Sequence, residues 1–351
     1  MYIGIDKTKV KAFKVISIDM HRLKSSKRAI YKEDLFGIAI ATEKGETISF
    51  DYLKITDGYL FNSLILGVKR NKGAINPYSF IEIHISDTEE RNLRPFTIAE
   101  YHEHIERLKC YLKSQYGMTV DFSEAKFEQI EINITSEMSL QFQEYEYLLN
   151  QMVLLAPKRY SLSSYMDRKR SISQFSFFNK SVQAKIYDKT KQLKDVHGIT
   201  LSDHYMRIEY TLNKPNKIKV ALKSEYIYKV RDKDIKEWIT GQICKDLILP
   251  IQKHIKRADK ILIELAEEEI NIDCRKWTRN FLNRAMAVKE ELTNGKLHVV
   301  TDIKQVMDII EKLTSKSNKN RTSNRLISAF LKYPFAKGNL DKLDEIIAKF
   351  T

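Results

Sequence analysis

Cysteine is scarce: Cys110, Cys244 and Cys274 are the only three, far apart and with no Cys-x-x-Cys spacing. That excludes a disulfide framework and a cysteine-held zinc site, and it fits a reducing compartment. Eleven glycines and six prolines in 351 residues are few, which predicts long elements and short loops. No run approaches the roughly 20 apolar residues a spanning helix needs. The opening Met1-Tyr2-Ile3-Gly4-Ile5-Asp6 lacks the basic and apolar regions of a signal peptide. The expectation is a chain without a membrane role, and no internal repeat is visible.

Basic charge is abundant. Lys and Arg number 60 against 46 Asp and Glu, a formal net charge of +14. A surplus of that size points to a polyanionic partner, because each cation placed on a phosphate releases a condensed counterion. A lysine-rich solvated surface would give the same number, so charge alone says nothing of catalysis. With 43% hydrophobic and 30% charged residues the chain has an ordinary globular composition.

Two patterns divide the chain. Up to about residue 212 the signal is alternation, at 11–20, 37–42, 47–53, 64–69, 78–86, 127–138, 174–178, 182–189 and 205–212. Helical periodicity interrupts it at 97–116, with Thr97 as N-cap, and at 142–155, ahead of Pro157. After residue 213 helical periodicity dominates. It covers 232–269, with Pro250 a break or kink, then 275–292, 301–313, 324–331 and 339–350, with a polar basic linker at 315–323. The fold class expected is α+β: a largely antiparallel sheet with helices on one face, followed by an all-helical C-terminal domain. The expected division is a β-rich segment at 1–60, a catalytic domain at 61–224 and a helical domain at 225–351.

Four of the strands have a clean apolar face and a second face carrying reactive groups. Glu82 and His84 alternate with Ile81, Ile83 and Ile85, and Glu131 and Asn133 alternate with Ile130, Ile132 and Ile134. Lys185, Tyr187 and Lys189 alternate with Ala184 and Ile186, and Arg207 and Glu209 alternate with Ile208 and Tyr210. The pleat sends alternate side chains to one face. In one sheet covered on its apolar side, Glu82, His84, Glu131, Tyr187, Lys189 and Glu209 could meet on an open side. Hard oxygen ligands, an imidazole, a phenol and a cation are the parts of metal-assisted phosphodiester transfer. Charge on the solvent face of an antiparallel sheet is also commonplace, and spacing alone does not make these strands neighbours.

The order of these segments is more specific than any one of them. The run Phe127 to Thr135, the segment Lys185-Ile186-Tyr187-Asp188-Lys189, the strand Met206-Arg207-Ile208-Glu209 and the strand around Glu82 resemble, in order, motifs of filamentous-phage replication-associated proteins of the gene II/X type. A similar Tyr-x-Lys followed by Arg-x-Glu marks plasmid rolling-circle initiators. The resemblance runs from about residue 64 to 223. It departs at the metal site, where many such nickases carry a His-hydrophobic-His pair and this chain has Glu82-Ile83-His84.

The resemblance implies a nicking endonuclease that initiates rolling-circle DNA replication in the cytoplasm of a bacterial host. Tyr187 would attack the scissile phosphate, giving a 5′-phosphotyrosine and a free 3′-hydroxyl. Lys189 would lower the phenol pKa or hold the phosphate. Mg²⁺ or Mn²⁺ would be held by Glu131 and Glu209 with Glu82 or His84. Arg207 and Lys185, with the basic clusters Lys158-Arg159 and Arg168-Lys169-Arg170, are candidate DNA contacts. Expected partners are origin DNA, single-stranded or as a hairpin, a host helicase or polymerase, and a second copy as homodimer. A conjugative relaxase, a single-strand transposase of the same class, and a non-enzymatic origin-binding protein remain alternatives.

Overall fold

The structure, a computed structural model, describes residues 1–69, 78–86, 93–157, 160–166, 172–253 and 339–351. It is a mixed α+β chain with a large, mostly antiparallel sheet and several helices. Two compact units divide it: Met1–Ser136 with Phe178–Ile239, and Glu137–Phe177 with Thr240–Thr351.

The first unit is built on β1 (Tyr2–Lys11), β2 (Lys14–Ile18), β3 (Ala29–Thr42), β4 (Thr47–Thr56), β5 (Ser63–Lys69), β6 (Tyr78–Ser86), β7 (Met118–Asp121), β8 (Lys126–Met138), β11 (Val182–Asp188) and β12 (His204–Leu212). Their order is β7-β2-β3-β4-β5-β6-β1-β8-β12-β11. The β2/β3 pair is parallel, while β1 is antiparallel to both of its neighbours, β6 and β8. The N-terminal strand is therefore central. Of the strand expected at 11–20, Lys11 ends β1 and Lys14–Ile18 form β2, because Ala12 takes φ 60°, a left-handed conformation that ends β1 and redirects the chain into β2.

Helices α1 (Met20–Ser25), α2 (Ile98–Tyr116), α4 (Lys189–His197), α5 (Pro215–Leu222) and α6 (Asp232–Ile243) accompany this sheet. Thr97 caps α2 as its sequence predicts: its hydroxyl accepts from the Glu100 amide while the Glu100 side chain accepts from the Thr97 amide. The buried stripe of α2, including Tyr101, Ile105, Leu108 and Leu112, covers the apolar sheet face. Its Tyr101 hydroxyl lies 2.8 Å from Thr8 Oγ1, and its ring centroid is 5.7 Å from that of Phe127. Trp238 of α6 packs edge-on against Tyr210.

The second unit contains α3 (Phe142–Leu154), the neighbouring strands β9 (Ser161–Met166) and β10 (Ile172–Phe178), and α7 (Asn339–Phe350). Glu345 of α7 accepts from the Ser139 amide at 2.7 Å, from the Ser139 hydroxyl at 2.8 Å and from the Tyr145 hydroxyl. Where a break at Pro250 is expected, the helical turns run on to residue 253. Residues Cys244–Ile248 widen into a π turn, with the Leu249 amide donating to the Cys244 carbonyl. The wider turn accommodates a proline that lacks an amide and would crowd a carbonyl one turn earlier. Most of the expected helical domain, 254–338, lies outside the described residues.

Gly4 is required by close approach. The Phe96 backbone pairs with Ile5, at 2.8 Å and 2.9 Å, along the edge of β1 beyond the reach of β6. A Cβ on Gly4 would stand 2.0 Å from the Phe96 carbonyl oxygen. Gly4→Ala should destabilise the fold by about 1–3 kcal/mol, the usual cost of overpacking, read as a lower urea midpoint at unchanged m-value.

Candidate active site

Three strands bring the reactive residues together because their pleats are in phase. In the β11/β12 ladder Lys185 faces Glu209 and Tyr187 faces Arg207. Cross-strand pairs of this kind place side chains on one face within reach of each other. Lys185 Nζ donates to Glu209 Oε1 at 2.5 Å, and the Tyr187 hydroxyl donates diagonally to Glu209 Oε2 at 3.2 Å. From β8, Glu131 Oε2 lies 4.0 Å from Lys185 Nζ.

On the far side of β8 the β1 register jumps from Ile5↔Ile132 to Thr8↔Ile130. Asp6 and Lys7 thus share the place opposite Glu131, a bulge that sets two charged residues against one. Lys7 Nζ reaches to 4.0 Å from Glu131 Oε1. Arg207 ties the strands together: its Nε donates to Thr135 Oγ1 at 2.7 Å, and its terminal nitrogens donate to Asp6 Oδ2 at 2.9 Å and to the Leu93 carbonyl at 3.2 Å.

This face was expected to be open, and at the cluster it is not. Glu131, Asn133, Thr135, Arg207 and Glu209 are all buried, as is Tyr187. They sit on interior strands, and the backbone from Leu93 to Phe96 is bonded to Arg207 and to Ile5 beside them. The outlet is basic: the side chain of Lys185 is 26% exposed and that of Lys7 63% exposed.

Burial decides the protonation states. Burial first, and then the charge of Glu209, pushes Glu131 up to about 8. Burial pushes Glu209 up as well, but the charge and hydrogen bond of Lys185, the hydrogen bond with Glu131 and the charge of Arg207 together hold it below the usual range. The pair thus holds one proton and one negative charge at neutral pH. Burial and the Glu209 charge keep the Tyr187 hydroxyl well above the ordinary phenol range. Lys189 is fully buried, and burial followed by the charge of Arg207 lowers it to about 7.

Lys189 is also not where alternation placed it. Asp188 ends β11 and caps α4, accepting from the Lys191 amide, so Lys189 is the first residue of a helix. Its Nζ donates to Gln192 Oε1 at 2.8 Å. Glu82 and His84 stand on β6, which β1 separates from β8, roughly 10 Å away at two strand spacings. They pair with the Lys11 and Lys9 positions; Glu82 bonds Lys9 at 2.7 Å and lies 3.5 Å from His84 Nε2. Lys158, Arg159, Arg168, Lys169 and Arg170 lie outside the described residues.

Sequence reasoning missed Asp6. The signal was a change of phase, Ile3 and Ile5 followed by Thr8 and Val10, which marks the bulge. Glu131 and Glu209 offer hard oxygen donors, and Glu131 Oε1 is buried without a hydrogen-bond partner, so the pair fits a divalent cation. Glu82 and His84 do not join them. Among the described residues no group of three or more His, Cys, Asp and Glu side chains is arranged to hold a metal.

No family model matches the chain, and no curated protein matches it. Among solved structures it is similar to a rolling circle replication initiator protein from Geobacillus stearothermophilus. The identity is 12% and the TM-score 0.34, over 70% of this chain and 85% of that one. A likeness of that size transfers no chemistry. Among the described residues no helix is long and apolar enough to cross a membrane.

Glu131 binds its proton more tightly in the folded state than in the unfolded one. Its contribution to stability is therefore present in acid and is lost as pH rises through about 8. Glu131→Gln cannot ionise. In chelator-treated buffer its Tm should match wild type near pH 4, pull ahead as pH rises above 4.5, and exceed it fully near pH 9, by about 2–4 °C for each kcal/mol relieved. Parallel Tm profiles for the two proteins would contradict this assignment.

Proposed function

We propose that the chain is a DNA strand-nicking enzyme in which Tyr187 becomes covalently joined to DNA, acting as a rolling-circle replication initiator. The observation that carries the reading is the Tyr187 hydroxyl donating to Glu209, a buried carboxylate held ionised beside Lys185 and Arg207. A phenol in that position has both a proton acceptor and nearby cations for a phosphate. The net charge of +14 supports a polyanionic substrate. The ordered motifs at Glu131, Tyr187 and Arg207-Ile208-Glu209 support DNA as that substrate and an origin as its site.

In the proposed step the Tyr187 oxygen attacks the scissile phosphorus, and the oxygen–phosphorus bond forms as the bond to the 3′ oxygen breaks. The phenolic proton passes to Glu209. The 3′ oxygen takes a proton from water at the exposed Lys7–Lys185 side and leaves as a hydroxyl. A cation bound by Glu131 and Glu209 would supply positive charge to the non-bridging phosphate oxygens. Lys189, lowered to about 7 by burial, would add charge near Glu209 when protonated. Arg207 positions rather than reacts, with its guanidinium bonded to Thr135, Asp6 and the Leu93 carbonyl.

The test is incubation with labelled single-stranded DNA of random sequence and Mn²⁺, followed by mass mapping of any covalent adduct. Wild type should give a 5′-phosphotyrosine at Tyr187, and Tyr187→Phe none. Glu209→Gln should slow adduct formation by about 10²–10⁴-fold, as loss of a proton acceptor does. An adduct that survives in Tyr187→Phe, or its absence in wild type, rejects the reading.

A further inference from the structure

A carboxylate pair is a poor cation site by itself, so the search for a third donor turns on the polar groups that burial has left unpaired. Asn133 is fully buried, and neither its amide oxygen nor its amide nitrogen has a hydrogen-bond partner. An unpaired buried amide is costly, and folded proteins rarely carry one without a ligand or water to answer it. Asn133 lies two residues from Glu131 on β8, on the same face, and Glu131 Oε1 is the neighbouring unpaired atom.

Asn133 pairs with Gly4 on β1, where the Phe96 carbonyl takes the place of a side chain. Along β8 it is bracketed by Glu131, which is hydrogen-bonded with Glu209, and by Thr135, which is bonded to Arg207. Lys185 engages the Oε1 atom of Glu209 and approaches Glu131 Oε2, while Glu131 Oε1, 4.0 Å from Lys7 Nζ, has no hydrogen-bond partner.

We infer that the Asn133 carbonyl is the third oxygen donor, with Glu131 and Glu209, of a divalent-cation site. The inference rests on the cation reading of the carboxylate pair and replaces Glu82 and His84 as its completing ligands. Two carboxylates and an amide oxygen form a hard donor set suited to Mg²⁺ or Mn²⁺.

The test is a titration of the full chain with Mn²⁺, reading free Mn²⁺ by electron paramagnetic resonance, together with metal-free Tm. Asn133→Leu should weaken Mn²⁺ binding at least tenfold while holding or raising the metal-free Tm, because the unpaired amide is gone. Asn133→Asp should tighten Mn²⁺ binding. Unchanged affinity in Asn133→Leu overturns the inference, and if that variant does not fold, unchanged or weaker binding by Asn133→Asp overturns it. Binding that is lost in Glu131→Gln and Glu209→Gln but is indifferent to Asn133 sinks the third donor and keeps the pair. Absence of Mn²⁺ binding in wild type sinks both, and Tyr187 is judged separately by its adduct.

Discussion

Two carboxylates buried within a hydrogen bond of each other set the terms for everything around them. Removing Glu131 and Glu209 from water would be prohibitive if both were ionised, and the chain meets the cost in two ways. One proton stays on the pair, and Lys185 and Arg207 supply positive charge to what remains. Lys185 can do so because register sets it opposite Glu209. Arg207, 1% exposed, spends its guanidinium on Thr135, Asp6 and the Leu93 carbonyl, so one side chain holds β8, β1 and the segment before α2 against β12.

That constraint explains why the same residues that would be costly in an ordinary core are useful here. A carboxylate kept ionised in a dry setting is in the form that accepts a hydrogen bond from the phenol against it, and in the proposed reaction a dry setting would strengthen every cation near a phosphate. The neighbouring group, kept protonated by the same burial, is the one most altered by an incoming dication. In the proposed cation site, proton, lysine and metal would be alternative ways of balancing one patch of negative charge.

Part of this was visible in the residues themselves. Alternation put Lys185 with Tyr187, and Arg207 with Glu209, on common faces, and the strands holding them lie next to each other in the sheet. Thr97 with Glu100 announced the start of α2. Strand order was not legible, since alternation says which face a residue takes and not which strand lies beside it. Glu82 and His84 therefore looked like companions of Glu131 until β1 was found between β6 and β8. Asp188 read as one more strand residue, although an aspartate ahead of a polar run is also an N-cap, and that ambiguity hid the turn into α4. The burial of the charged face was equally hidden, because it comes from a backbone segment about 90 residues away from the strand it covers.

The central place of β1 bears on how the chain is made. Its first ten residues pair with strands beginning at Tyr78 and Lys126, and Asp6 meets Arg207 across a separation of 201 residues. A nascent chain emerging N-terminus first must hold β1 unpaired on both edges until those later segments leave the ribosome. Contacts this distant in sequence slow folding, because a long loop must be closed before any of them forms. The ion pair of Asp6 and Arg207 then forms only after nearly the whole first unit exists. A truncated product would lack that clasp, leaving its carboxylates uncompensated and its central strand open to pairing with another chain.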